Sequence, residues 1–208
     1  MWDKLKEQFN LLKLEKRKLY LITNSDKFLS KELFIDAIAS ALQGGVDVVQ
    51  LNETDIPDNV YVDIGRKVRV LCDEFGATFI INNRCDIAQV VEADGVHLNE
   101  SSISIDDARE ILGQNAIIGY TIYSPEDAVN AFNQGADYIT LDFESTNIVD
   151  IQWINENIEI PLFVTGDFEP DSISSAIQSG IKRIGTTDSI MYAQIPEKTA
   201  REFLRFFP

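Results

Sequence analysis

Short, almost wholly apolar runs punctuate this chain, and between them apolar positions recur every three or four residues. The runs lie at 18–23, 46–51, 78–81, 96–98, 116–120, 138–141, 161–165 and 183–186. Strands buried on both faces of a parallel sheet read this way, as continuous apolar segments rather than as an alternation. The stretches between them carry helix punctuation. Ser30 is placed to cap a helix over 30–43, with Glu32 in its first turn, and Gly44-Gly45 end it. A second helix, from about 57 to 75, stops at Gly76. A helical span follows Arg84 and closes before Asp94-Gly95; Ser104 and Gly113 bound another over 105–112; Ser124-Pro125-Glu126 opens the next; and weaker or later helices are predicted over 148–157, 171–179 and 196–206. Eight strand–helix pairs predict an α/β fold, a parallel sheet closed as a (βα)8 TIM barrel in a single domain over 1–208. Trp2, Leu5, Phe9 and Leu12, at helical spacing among Lys and Glu, predict an extra N-terminal amphipathic helix over 1–18 that caps the barrel. A partner-binding or membrane-surface role for that helix is the alternative.

In parallel α/β architectures the residues just past the strands' C-terminal ends face the ligand crevice. That rule nominates Gln50, Asn52 and Thr54 after the second strand, Asn82, Asn83 and Arg84 after the third, and 99–102, including Ser102, after the fourth. Thr121 and Tyr123 follow the fifth strand, Asp142 the sixth, Gly166 and Asp167 the seventh, and Asp188 the eighth. Arg84 is the one cation this pattern puts near a strand's C-terminal end, either to bind an anion or to pair with Asp86 or Glu100. His97, the single histidine, sits inside the strand-like run DGVHL and is expected to be a satisfied interior group, with catalysis as the alternative. The phrases GGVD, EADG, QGAD and SGIK recur before strands two, four, six and eight, on the face away from the site, and are expected to be structural.

Charge narrows the partners. The net charge is −16, and residues 1–18 hold six Lys/Arg against three Asp/Glu, so the remainder is more acidic than the whole. No Lys or Arg occurs between Arg109 and Lys182. Nucleic acid and anionic membrane both demand clustered cations and are excluded as expected partners. A small molecule or a protein remains, and self-association into a homo-oligomer stays open. No apolar run approaches the roughly 18 residues of a membrane span, and the N-terminus lacks the continuous apolar core of a secretory signal, so a cytoplasmic location is expected. Cys72 and Cys85 fall in helical patterns without CxxC spacing, which gives no disulfide or zinc signal.

Several phrases together resemble the thiamine phosphate synthase and TenI superfamily of (βα)8 barrels: LYLIT at 19–23, ALQGGVDVVQL at 41–51, FIINNRCDIA at 79–88, ADGVHL at 93–98, IIGYTIYSPEDA at 117–128, QGADYI at 134–139 and IPLFVTG at 160–166. The resemblance implies an enzyme that joins hydroxymethylpyrimidine diphosphate to thiazole phosphate with magnesium on the diphosphate. It also marks departures. Asn52 and Thr54 stand where the family's QLREK phrase has phosphate-binding Arg and Lys; Asn83 and Ser102 stand where it has magnesium-binding Asp. Tyr123 occupies the position of the tautomerase branch's His, the loop after the sixth strand is shortened to 142–146, and Asp167 and Asp188 occupy the phosphate cradle. Each lost cation removes a charge-assisted hydrogen bond worth roughly 1.5 to 3 kcal/mol. The expectation is a divergent member that has lost phosphate and magnesium binding and synthase chemistry, with no cofactor and no assigned catalytic residue, acting as a small-ligand-binding or regulatory protein. The alternatives are a thiamine-biosynthetic enzyme with a rearranged site, and a different enzyme using Asp142, Asp167 or Asp188 as general base.

Overall fold

A computed structural model describes residues 14–207, so the leading helix predicted over 1–18 falls, as far as residue 13, outside the described residues. The elements run β1 Leu19–Ile22, α1 Lys31–Gln43, β2 Val48–Leu51, α2 Asp58–Phe75, β3 Thr78–Asn82, α3 Cys85–Val90, β4 Gly95–Leu98, α4 Ile105–Leu112 and β5 Ile117–Ile122. They continue as α5 Pro125–Asn133, β6 Tyr138–Asp142, α6 Ile148–Asn157, β7 Leu162–Thr165, α7 Pro170–Gln178, β8 Ile184–Thr186, α8 Asp188–Met191 and α9 Pro196–Leu204. Each strand pairs in parallel with the next, and β8 closes on β1. The predicted barrel is therefore the observed one, with element bounds shifted by a residue or two. The turn of helix α8, which the pattern left within a loop, is the one element added.

Period-two alternation within each strand divides the interior. Leu19, Leu21, Val49, Leu51, Phe79 and Ile81 point outward and pack under the helices, while Tyr20, Val48, Ile80, Ile117, Tyr138 and Phe163 fill the barrel together with Leu14. Tyr138 fits because Gly119 leaves room for it: a Cβ there would stand 2.1 Å from the ring's Cζ.

The recurring turns have a shared physical role at the N-terminal face. The Asp47 carboxylate accepts from the backbone N–H groups of Lys18 and Leu19 at 2.6 and 3.0 Å, Asp94 from that of Phe79 at 2.7 Å, and Asp137 from that of Ile118 at 2.7 Å. Each also meets an arginine: Arg17 at 3.8 Å, Arg69 at 3.0 Å and Arg109 at 2.7 Å. One carboxylate thus ties the odd strand, the helix or segment beside it and the even strand that follows. The fourth phrase, SGIK, has no Asp. Asp137→Ala, which removes the carboxylate paired with a half-buried guanidinium and leaves a strand N–H without its acceptor, should lower unfolding free energy by about 3 kcal/mol; urea midpoints of variant and wild type measure it, and a loss under about 1 kcal/mol would contradict the clamp.

Among the described residues no helix is long and apolar enough to cross a membrane. Cys72 and Cys85 are both buried, and neither is in a disulfide.

Candidate functional site

Above the apolar filling, the inward positions turn polar and join in one hydrogen-bonded chain. Gln50 Nε2 donates to Asn82 Oδ1 at 3.0 Å, and Gln50 Oε1 accepts from the Tyr20 hydroxyl at 2.6 Å. Tyr20 meets the Tyr138 hydroxyl at 2.8 Å, which meets His97 Nδ1 at 3.1 Å. His97 Nε2 faces the hydroxyls of Thr121 at 2.8 Å and Thr140 at 3.2 Å. His97 is sealed inside, and burial pushes its pKa down to about 3. It is thus the satisfied interior group expected from its strand position, held neutral at physiological pH. Burial likewise raises the pKa of both Tyr20 and Tyr138.

Beside this layer, the loop after β2 carries a buried acid that the sequence reading passed over. Glu53 accepts from Thr23 at 3.0 Å and from the Ser25 hydroxyl, and burial raises its pKa despite those donors. Thr23 also accepts from the Asn52 backbone N–H at 3.0 Å, while exposed Thr54 contacts only its neighbour Asp55, at 3.3 Å. Neither residue supplies a cation to the mouth.

At the end of β3, Asn83 adopts a left-handed conformation with φ of 58°. Its Oδ1 accepts from Ser102 Oγ at 2.6 Å, and that oxygen in turn accepts from the Asn99 backbone N–H at 2.8 Å. These are the positions the resemblance assigns to magnesium, and the donors they offer are one carboxamide oxygen and one hydroxyl, bonded to each other. No cluster of three His, Cys, Asp or Glu side chains suited to a metal occurs among the described residues. The donor set does not fit a magnesium ion, which is anchored through one or two carboxylates.

Arg84 is a structural bridge, bonding Asp86 through Nε and Nη2 at 2.8 and 2.6 Å and Asp58 through Nη1 at 2.8 Å. Its partners are therefore Asp86, which was foreseen, and Asp58 on α2, which was not; no bond to Glu100 forms. Nor is it the sole cation at this face. Lys27, on the loop after β1, donates to Asp188 at 2.8 Å and lies 4.2 Å from the Tyr192 ring centroid. The Asp188 bond is the main reason its pKa is raised. The same strand-end rule that picked out Asn82 reaches Lys27 once the first loop is included. Tyr123 is half exposed, and only its backbone N–H is bonded, to Asp127 at 3.1 Å.

Of the predicted acids, Asp142 and Asp167 meet on the opposite side of the mouth, while Asp188 is turned to Lys27. Asp142, Glu144, Gly166 and Asp167 line a cleft of about 290 Å³ with Ile22, Thr165 and Thr187. Asp142 Oδ1 also closes its own loop, accepting from the backbone of Glu144 and Ser145 at 3.0 Å each. A larger cavity of about 610 Å³ opens outward from the same rim, lined by Phe143, Ile148, Phe168 and Ala176, with Glu144 and Asp167 shared between the two.

Residues 19–190 match the family described as thiamine monophosphate synthase, TMP-TENI. A putative thiamine-phosphate synthase of Geobacter sulfurreducens is 34% identical over 201 residues, covering 91% of this chain and 94% of that protein. A thiamine-phosphate synthase of Nostoc punctiforme is 32% identical over 193 residues, covering 88% of this chain but 54% of its own length, so the chain spans about half the length of that relative. A solved thiamine phosphate pyrophosphorylase from Pyrococcus furiosus superposes with a TM-score of 0.83 at 28% identity, covering 97% of this chain and 96% of that one. A barrel closed in sequence order, a polar layer at its C-terminal mouth and a match across most of its length lead to one conclusion: the chain belongs to the thiamine monophosphate synthase family.

Proposed function

We propose that this chain serves thiamine metabolism by binding a ring-bearing small molecule, uncharged or cationic, at the mouth above Gln50 and Asn82, without the diphosphate chemistry of its family. The observation that carries this reading is the trio Asp142, Glu144 and Asp167 around the cleft between β6 and β8, on the side where the resemblance assigns phosphate-binding groups. A carboxylate about 4 Å from a phosphate costs on the order of 4 kcal/mol per unit charge pair at an effective dielectric near 20. Lys27, the nearby cation, is engaged with Asp188 rather than free for an anion. The neutral oxygens of Asn83 and Ser102 support the same reading for the metal.

A second reading has its own support. The relatives that match most of this chain are named as thiamine-phosphate synthases, and the comparisons taken alone favour a synthase that joins hydroxymethylpyrimidine diphosphate and thiazole phosphate in a rearranged site.

Incubating purified protein with both phosphorylated precursors and magnesium separates the two. The first reading expects no thiamine phosphate above background, together with a thermal shift from an unphosphorylated pyrimidine or thiazole; at 100 times the dissociation constant such a ligand stabilises by roughly 2.7 kcal/mol. Turnover on the order of 0.1 per second or faster would overturn it and establish the synthase.

A further inference from the structure

The polar chain beneath the mouth has a direction. A phenol carries one proton, so each hydroxyl between Gln50 and His97 can donate only once. Tyr20 spends its proton on Gln50 Oε1, so at 2.8 Å it must accept from Tyr138. Tyr138 has then spent its own, and at 3.1 Å it must accept from His97 Nδ1–H. Neutral His97 therefore has a bare Nε2, which accepts the Thr121 proton at 2.8 Å, and the Thr140 hydroxyl turns to Thr121 at 3.3 Å. The reverse order is equally self-consistent: turning the Gln50 amide around reverses every proton and leaves His97 protonated at Nε2. A mixed order leaves a buried donor facing a donor, so the chain switches as a unit.

We propose that Tyr20 and Tyr138 are positioning residues for the mouth: through His97 they hold Thr121 as a hydrogen-bond acceptor, while Gln50, at the other end, holds the Asn82 amide nitrogen outward as a donor. Thr121 and Asn82 are both only half buried at the strand ends, where a ligand would meet them. The polarity presented on β5 is thereby coupled to that presented on β3, across β4, without a hydrogen bond between the two side chains. A ligand that offers an acceptor to Asn82 and a donor to Thr121 matches the resting order, and one of opposite polarity must reverse it. The ligand consequence rests on the reading of the mouth as a binding site. The order itself does not, and it is measured without any ligand.

Because the chain has one histidine, protein labelled with ¹⁵N-histidine gives a single imidazole spin system. The expected spectrum has the proton on Nδ1 and a bare, pyridine-like Nε2. In Tyr20→Phe, which alters no atom bonded to His97, the Tyr138 hydroxyl loses its acceptor and is free to donate to Nδ1, so the imidazole proton should move to Nε2. Tyr138→Phe removes the Nδ1 acceptor and should produce the same shift, which keeps the test open if the first variant folds poorly. A wild-type ring protonated at Nε2, or a tautomer unmoved in both variants with the backbone spectrum intact, would overturn the proposal. Loss of ring binding in the separate thermal-shift assay would overturn the binding reading and leave the relay standing.

Discussion

Acidification from pH 6.5 towards 4.5 is expected to remove about 2 to 3 kcal/mol of stability through His97 alone, at about 1.4 kcal/mol per pH unit. The imidazole faces only Tyr138, Thr121 and Thr140 within hydrogen-bonding distance, with no carboxylate to stabilise a charge, and burial holds its pKa at about 3. In the unfolded chain the ordinary value is about 6.5. Between those limits the unfolded state binds a proton that the native state refuses. Stability therefore falls as pH falls through this window and levels off below about pH 3. Carboxylates held low by their cationic partners, Asp58 and Asp86 by Arg84 and Asp63 by Lys31, also lose stabilisation in acid, whereas Glu53, pushed up by burial, acts in the opposite direction. Subtracting His97→Gln from wild type cancels those contributions. Urea unfolding from pH 7 to pH 4.5 should show the difference between the two proteins shrinking at the stated slope, and a constant difference would mean that the imidazole is charged or solvated in the native state.

Replacing Gly95 with alanine should cost at least about 3 kcal/mol and can abolish the fold. Gly95 opens β4 opposite Ile117 of β5, and a Cβ there would lie 1.8 Å from the Ile117 carbonyl oxygen and 2.5 Å from its carbon. Those are backbone atoms in a closed ladder, so no rotamer change relieves the clash; β4 and β5 would have to part. Gly113 makes the comparison. It has φ of 86° but open space around a Cβ, so alanine there should cost only about 1 kcal/mol of backbone strain. Circular dichroism and urea melts of the two variants should rank them clearly, and a Gly95→Ala protein within 1 kcal/mol of wild type would mean that the β4–β5 approach is looser than described.

The barrel was legible because strand, turn and helix signals agree at each of the eight repeats, and because the Asp of GGVD, EADG and QGAD sits at the same point of each turn. The roles of those Asp residues were not, since their acceptors' partners, the N–H groups of Leu19, Phe79 and Ile118, look in sequence like ordinary strand residues. At the mouth, the strand-end rule found Gln50, Asn82 and Thr121 but stopped one layer too high. Tyr20 and Tyr138 lie deeper, where an aromatic in an apolar run reads as filling, and only the inward pleat brings their hydroxyls together. Arg84 stayed ambiguous because Asp58, one of its two partners, lies 26 residues away on α2. Lys27 was not legible because its partner Asp188 lies 161 residues away, after the last strand.

With its single imidazole enclosed in the barrel, the molecule has almost no buffering capacity near neutrality. The formal net charge of −16 at pH 7 counts the imidazole as neutral, and its burial keeps it so. Among the described residues, Glu53 is the carboxyl that burial pushes upward. A change in ligand affinity between about pH 6 and 7 would therefore not originate in the imidazole.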